Sequence, residues 1–102
     1  MGWATEGIKS APGAGTILAD TGALLALSAV PMTVVVWAKR TSTLVVAQRN
    51  ATNTADVEMQ RIYAQSGTEI FPFSSISCSL NDRFVVRCED DADSDIQVSI
   101  MW

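Results

Sequence analysis

The chain contains no histidine, only two cysteines and only three prolines among its 102 residues. Without an imidazole, neither a Ser-His nor a Cys-His nucleophile pair can be built, and a zinc-type centre lacks its usual ligands. No glycine-rich phosphate loop precedes a helical pattern, and the only cluster of carboxylates is the solvent-facing stretch Glu89–Asp95. The sequence therefore predicts a protein that is not an enzyme and that holds no cofactor or metal.

Charged residues are also scarce, because they make up 18% of the chain against 48% for hydrophobic residues. The formal net charge is -4, whereas proteins that bind duplex nucleic acid carry clusters of Lys and Arg. Nucleic acid is therefore not an expected partner. A single domain of this length with so few charges is expected to have part of its surface covered by other proteins.

Two motifs allow alternative interpretations. In a predicted hairpin around Asn81–Arg83, Cys88 lies diagonal to Cys78 at the upper limit for a disulfide. Two buried free thiols are the favoured alternative, in keeping with assembly in a reducing cytoplasm. The stretch Glu89–Asp95 begins like a calcium loop, but Ile96 stands where glycine is required, so a solvated loop is favoured over a looser Ca²⁺ cage.

The longest uncharged run, Thr21–Ala38, has the minimum length of a membrane-spanning helix. Pro31 within it and the β-branched run Thr33–Val36 instead favour strands. We predict one strand at Leu24–Leu27, a turn at 28–31 and a second strand over 32–40. That second strand is apolar on both sides, so it should be central or face a second subunit.

Alternating apolar and polar residues dominate the remaining chain, as in the segments around Ile76, Val86 and Val98. About eight short strands separated by turns predict an all-β fold, a single antiparallel β-sandwich of jelly-roll-like form. This sandwich domain is expected to span residues 16–102. Residues 1–15 have no periodicity and a linker-like Ala-Pro-Gly-Ala-Gly end, so they are predicted to form an extended N-terminal arm.

The stretch Leu44–Tyr63 reads as two strands joined by a polar loop, and it carries the string AQRNATNTADVEMQRI. Together with the later strings LNDRFVV and IQVSIMW, it resembles small all-β virion proteins of tailed bacteriophages. The resemblance implies a jelly-roll-like capsid decoration or cement protein on the virion surface that performs no chemistry. Its implied partners are the major capsid protein and further copies of itself, as a trimer or dimer, and neither nucleic acid nor a membrane.

The candidate assembly residues are apolar side chains in the arm and the central strand, together with polar side chains at an exposed loop. They are Trp3 and Ile8 in the arm, Val35 and Trp37 on the second side of the central strand, and Arg49, Asn50 and Asn53 at the polar loop. Two other functions stay open. The aromatic residues would suit a glycan- or receptor-binding module at a phage tail or fibre, and the run Thr21–Ala38 would suit a one-span membrane protein.

Overall fold

The computed structural model describes residues 2–24, 27–50, 52 and 56–102. Within these ranges the chain forms eight β-strands and no helix. The strands are β1 (Trp3–Lys9), β2 (Ile17–Asp20), β3 (Leu27–Ala38), β4 (Ser42–Arg49), β5 (Asp56–Ala64), β6 (Gly67–Cys78), β7 (Arg83–Cys88) and β8 (Ile96–Met101). The predicted all-β class is thereby confirmed for the described part of the chain.

The strands form two antiparallel sheets of four. The first sheet has the order β1-β8-β3-β6, and the second has the order β2-β7-β4-β5. The pairing is nested, because β1 pairs with β8, β2 with β7, β3 with β6 and β4 with β5. The predicted antiparallel β-sandwich is therefore confirmed.

The core lies between the two sheets and is made by the inward side chains of each strand. Val34 and Val36 of β3 and Val98 of β8 are fully buried against Leu44 and Val46 of β4. Each such aliphatic side chain contributes roughly 1.5–3 kcal/mol on leaving water. The alternation seen in the sequence thus corresponds to one buried and one outward side in these central strands.

Strand β3 is central in the first sheet, as predicted, but the turn predicted at Ser28–Pro31 is wrong. One continuous strand runs from Leu27 to Ala38, and its register to β6 shifts on both sides of Val30. A bulge removes a ladder position, so Pro31 fits there without an N–H to donate. The other half of the strand prediction, Leu24–Leu27, lies partly outside the described residues. None of the described residues belongs to a helix with the length and apolarity of a membrane span.

The N-terminal residues are extended, but the prediction of a separate arm is wrong for residues 3–9. These residues form β1, which pairs with β8 at the edge of the first sheet of its own chain. Residues 12–15 are also held by the body of the protein, because Pro12 is buried and Gly15 N–H donates to the Cys88 carbonyl at 2.9 Å. Backbone pairing, which composition does not reveal, explains the difference.

The sequence pattern predicts two strands here, Thr68–Phe73 and 75–80, whereas the structure has the single strand β6. Pro72 lacks an N–H to donate, which predicts an edge or bulge position, and β6 is an edge strand of the first sheet. Strand β6 ends at Cys78, and the chain turns at Asn81, whose φ is 67°. Leu80 therefore lies beyond the strand and is exposed, not inward as the alternation predicted.

The predicted hairpin that placed the cysteines diagonally is also wrong. Strand β6 belongs to the first sheet and β7 to the second, so Cys78 and Cys88 are not cross-strand neighbours. Both carry thiols and not a disulfide, and both are buried, as the favoured alternative predicted. Burial, with a smaller contribution from Asp91, raises the pKa of the Cys88 thiol, so this thiol stays protonated at neutral pH.

Candidate interaction surface

Three rows of cross-strand neighbours lie on the outward side of the first sheet. In the order β1, β8, β3, β6 the rows are Trp3, Met101, Thr33 and Pro72; Thr5, Ser99, Val35 and Ile70; Ile8, Gln97, Trp37 and Thr68. None of these twelve residues is charged. We call this surface, defined by the twelve residues, the charge-free face.

The charge-free face is rich in exposed apolar side chains. Ile70 is 66% exposed, Trp3 64% and Ile8 60%, while Met101 and Trp37 are exposed at 38% and 36%. Soluble monomers seldom leave a contiguous apolar area of this kind open unless it meets a partner. The face is therefore the strongest candidate for an interaction surface in the described part of the chain.

Four of the seven predicted assembly residues come together on this face. Trp3 and Ile8 arrive on β1, and Val35 and Trp37 arrive on β3, with β8 lying between the two strands. Side chains directly opposite in neighbouring strands share one side of a sheet. Residues separated by about thirty positions in sequence are thereby placed on one flat surface.

Sequence reasoning missed Ile70 and Met101. The alternation around buried Ile100 already placed Met101 outward, so a signal for this residue was present. For Ile70 the signal was absent, because only its pairing with Val35 assigns it to the face. That pairing depends on the strand order, which one strand's pattern does not reveal.

The β1 end of the face is held by the last residue of the chain. Gly2 N–H donates to the Trp102 carbonyl at 2.7 Å, and Trp102 N–H donates to the Gly2 carbonyl at 3.1 Å. The indole of Trp102 lies against Gly2 so closely that a side chain at residue 2 would overlap the ring. The Thr5 hydroxyl also donates to the Val98 carbonyl at 2.8 Å. These contacts position Trp3 beside Met101.

The outward side of the second sheet has the opposite character. Val45, Ala47 and Val85 are fully buried there, although they face away from the core between the sheets. Arg87 and Arg61 lie directly opposite Val45 on the two neighbouring strands. Because arginine covers apolar surface with its methylene stem, we infer that the arginines shield these three residues from water.

Ion pairs hold the arginine heads over the second sheet. Asp56 accepts contacts from Arg49 at 3.5 Å and from Arg87 at 3.4 Å. Arg83 contacts Asp20 at 3.2 Å, with both side chains about four-fifths buried. Paired charges therefore cover the middle of this side, while Tyr63 on β5 remains 63% exposed.

Arg61 extends the same arrangement toward the end of β7. It contacts Glu58 and Glu89, each at 3.2 Å, and the hydrogen bond with Glu58 raises the pKa of Arg61. Four of the five arginines thus lie on the second sheet in ion pairs, whereas the charge-free face contains no arginine.

The remaining predicted assembly residues do not join the charge-free face. Arg49 ends β4 in the second sheet and Asn50 follows it, exposed. Both line a hollow with a volume of about 410 Å³, together with Gln48, Val57 and Asp82. We call these five residues the polar end. Asn53 lies outside the described residues. The predicted set therefore divides into a sheet surface and a separate polar end.

The acidic loop is engaged by donors of its own chain. Asp91 accepts the Ala14 N–H at 2.7 Å, and Asp93 pairs with Arg40 at 3.1 Å. A cavity of about 250 Å³ lies beside these aspartates and Cys88. Across the ranges that the structure describes, no group of three or more carboxylate or cysteine side chains is arranged to hold a metal ion.

Comparison of the chain with models of known protein families finds no match, and a search of curated proteins also finds none. The geometry of the chain therefore carries the functional argument.

Proposed function

We propose that the chain is a structural virion protein of a tailed bacteriophage, a decoration or cement protein that binds the capsid surface. The single observation that carries the proposal is the charge-free face. It offers contact area without a charged group to desolvate, which suits a protein that works by repeated surface contacts. The major capsid protein and further copies of the chain are the proposed partners.

The strand order supports a finer proposal, that the sandwich is a jelly roll. A jelly roll has eight strands in two sheets, built from two Greek keys. The nested pairing of β1 with β8, β2 with β7, β3 with β6 and β4 with β5 supports this proposal. The three sequence strings that resemble phage virion proteins lie on strands of this sandwich. The first spans β4 and β5, and the later two include β7 and β8.

Capsid binding can be tested with two matched lysine substitutions. Ile70→Lys changes the charge-free face at a position 66% exposed, and Tyr63→Lys changes the second sheet at a position 63% exposed. We expect Ile70→Lys to lower the affinity for capsids about tenfold or more, equivalent to about 1.4 kcal/mol, because the ammonium group must be desolvated. Tyr63→Lys is expected to bind within about twofold of the unchanged chain.

The measurement is the occupancy of each protein on capsids that lack it, determined by co-sedimentation over a range of concentrations. Circular dichroism should show that both variants are folded. Equal occupancy of the two variants would refute the role of the face, as would a loss confined to Tyr63→Lys.

A second candidate is a glycan-binding module. Trp3 favours it, because this indole is 64% exposed on an uncharged surface where a sugar ring can stack. A glycan array separates the two functions. Glycan binding that is lost with Trp3→Ala, in a protein that does not sediment with capsids, would replace the decoration proposal.

A further inference from the structure

The charge-free face stays exposed in the described part of the chain, and its chemistry indicates what covers it. We propose that two copies of the chain pair through their charge-free faces about a two-fold axis, so that two sandwiches stack into four layers of sheet. This inference rests on the proposed function insofar as that function makes the face a contact surface. It adds the identity of the partner, a second copy of the chain.

The pattern of charge favours face-to-face pairing over stacking of a face on the back of the next copy. The back is the outward side of the second sheet, where Asp56 contacts Arg49 and Arg87, and where Asp20 contacts Arg83. Covering these ion pairs would cost several kcal/mol per desolvated ion. The twelve residues of the charge-free face carry no charge, so pairing two such faces desolvates no ion among them. An isologous contact also closes on itself instead of propagating.

The size of the face sets the expected strength. Four strands spaced about 4.8 Å apart, and three rows spanning about 13 Å along each strand, give a footprint of about 400 Å² with side chains included. A standard interface buries about 800 Å² per partner. We therefore expect a weak dimer, with a Kd on the order of 10–100 μM, that is populated at high local concentration.

A face-to-face dimer would also explain how the chain joins neighbours. It leaves the two polar ends around Asn50 uncovered at opposite sides of the pair. Two identical surfaces can then bind two capsid subunits at once, and the second contact gains from the first by effective concentration.

Sedimentation equilibrium of the full chain between about 5 and about 500 μM, a range that brackets the expected Kd, tests the pairing without capsids. We expect the chain and Tyr63→Lys to shift reversibly from monomer to dimer with the same Kd. Ile70→Lys should weaken the dimer at least about tenfold, because two lysines would be buried per pair. Met101→Lys, at another exposed position of the face, should act in the same way.

A monomer throughout this range would overturn the inference, as would a trimer or a dimer that Ile70→Lys and Met101→Lys leave unchanged. Capsid co-sedimentation distinguishes this failure from failure of the proposed function. A strictly monomeric chain whose capsid binding is lost with Ile70→Lys retains the function and loses the pairing. A face-dependent dimer that never sediments with capsids retains the pairing and loses the function.

Discussion

At single positions, exposure decides what an apolar side chain contributes to this protein. Leu44 is fully buried between the sheets, whereas Ile70 is 66% exposed on the charge-free face. Leu and Ile are isomers, so the two side chains have nearly the same apolar surface to remove from water. Their roles differ because only one of them leaves water when the chain folds.

This contrast leads to a stability prediction. Leu44→Ala should lower the free energy of unfolding by about 2–5 kcal/mol, because the substitution leaves a cavity in the core. Ile70→Ala should change it by less than about 0.5 kcal/mol. Urea denaturation followed by circular dichroism measures both values. A loss for Ile70→Ala as large as that for Leu44→Ala would show that Ile70 is a core residue.

Residue-level prediction from the sequence worked where the alternation was regular and ended with the strand. The alternation in β8 separated buried Val98 and Ile100 from outward Ser99 and Met101. It failed at Leu80, because the pattern continues past the point where the chain leaves the sheet. Periodicity identifies the two sides of a strand, but it does not identify the residue at which hydrogen bonding to the neighbour stops.

At the scale of elements, local pattern identified most strands, and long-range pairing decided their extent. The pair β4 and β5 was predicted because both strands and their polar loop are adjacent in sequence. Strand β1 was missed because its partner, β8, lies at the other end of the chain. The turn predicted before Met32 was wrong because Pro31 is accommodated by a bulge.

Strand β1 should be the least stable strand of the first sheet. None of its side chains is buried, and it pairs only with β8, whereas β3 has a partner on each side. We therefore expect amide hydrogens of β1 to exchange well before those of β3, through local opening that leaves the core intact. Hydrogen exchange followed by NMR tests this order. Equal protection of β1 and β3 would contradict it and would indicate a single cooperative unit.

At the scale of the whole molecule, the protein has two unlike outer surfaces. One sheet presents Trp3, Trp37 and Ile70 without a charge, and the other presents arginines held by carboxylates. From the low content of charged residues we predicted contact with partners, and the sequence pattern identified four residues of the face. It could not assign them to one surface, because that requires the strand order 1-8-3-6.

The central claim is that the charge-free face is the surface buried in the assembled state. Hydroxyl-radical footprinting of the free chain at low concentration, and of the same chain on capsids, tests it directly. Trp3, Trp37 and Met101 report on the face, and Tyr63, which is 63% exposed on the second sheet, is the internal control. We predict that labelling of the three face residues falls several-fold on assembly while Tyr63 changes little. Protection of Tyr63 with continued labelling of Trp3 and Met101 would contradict the account.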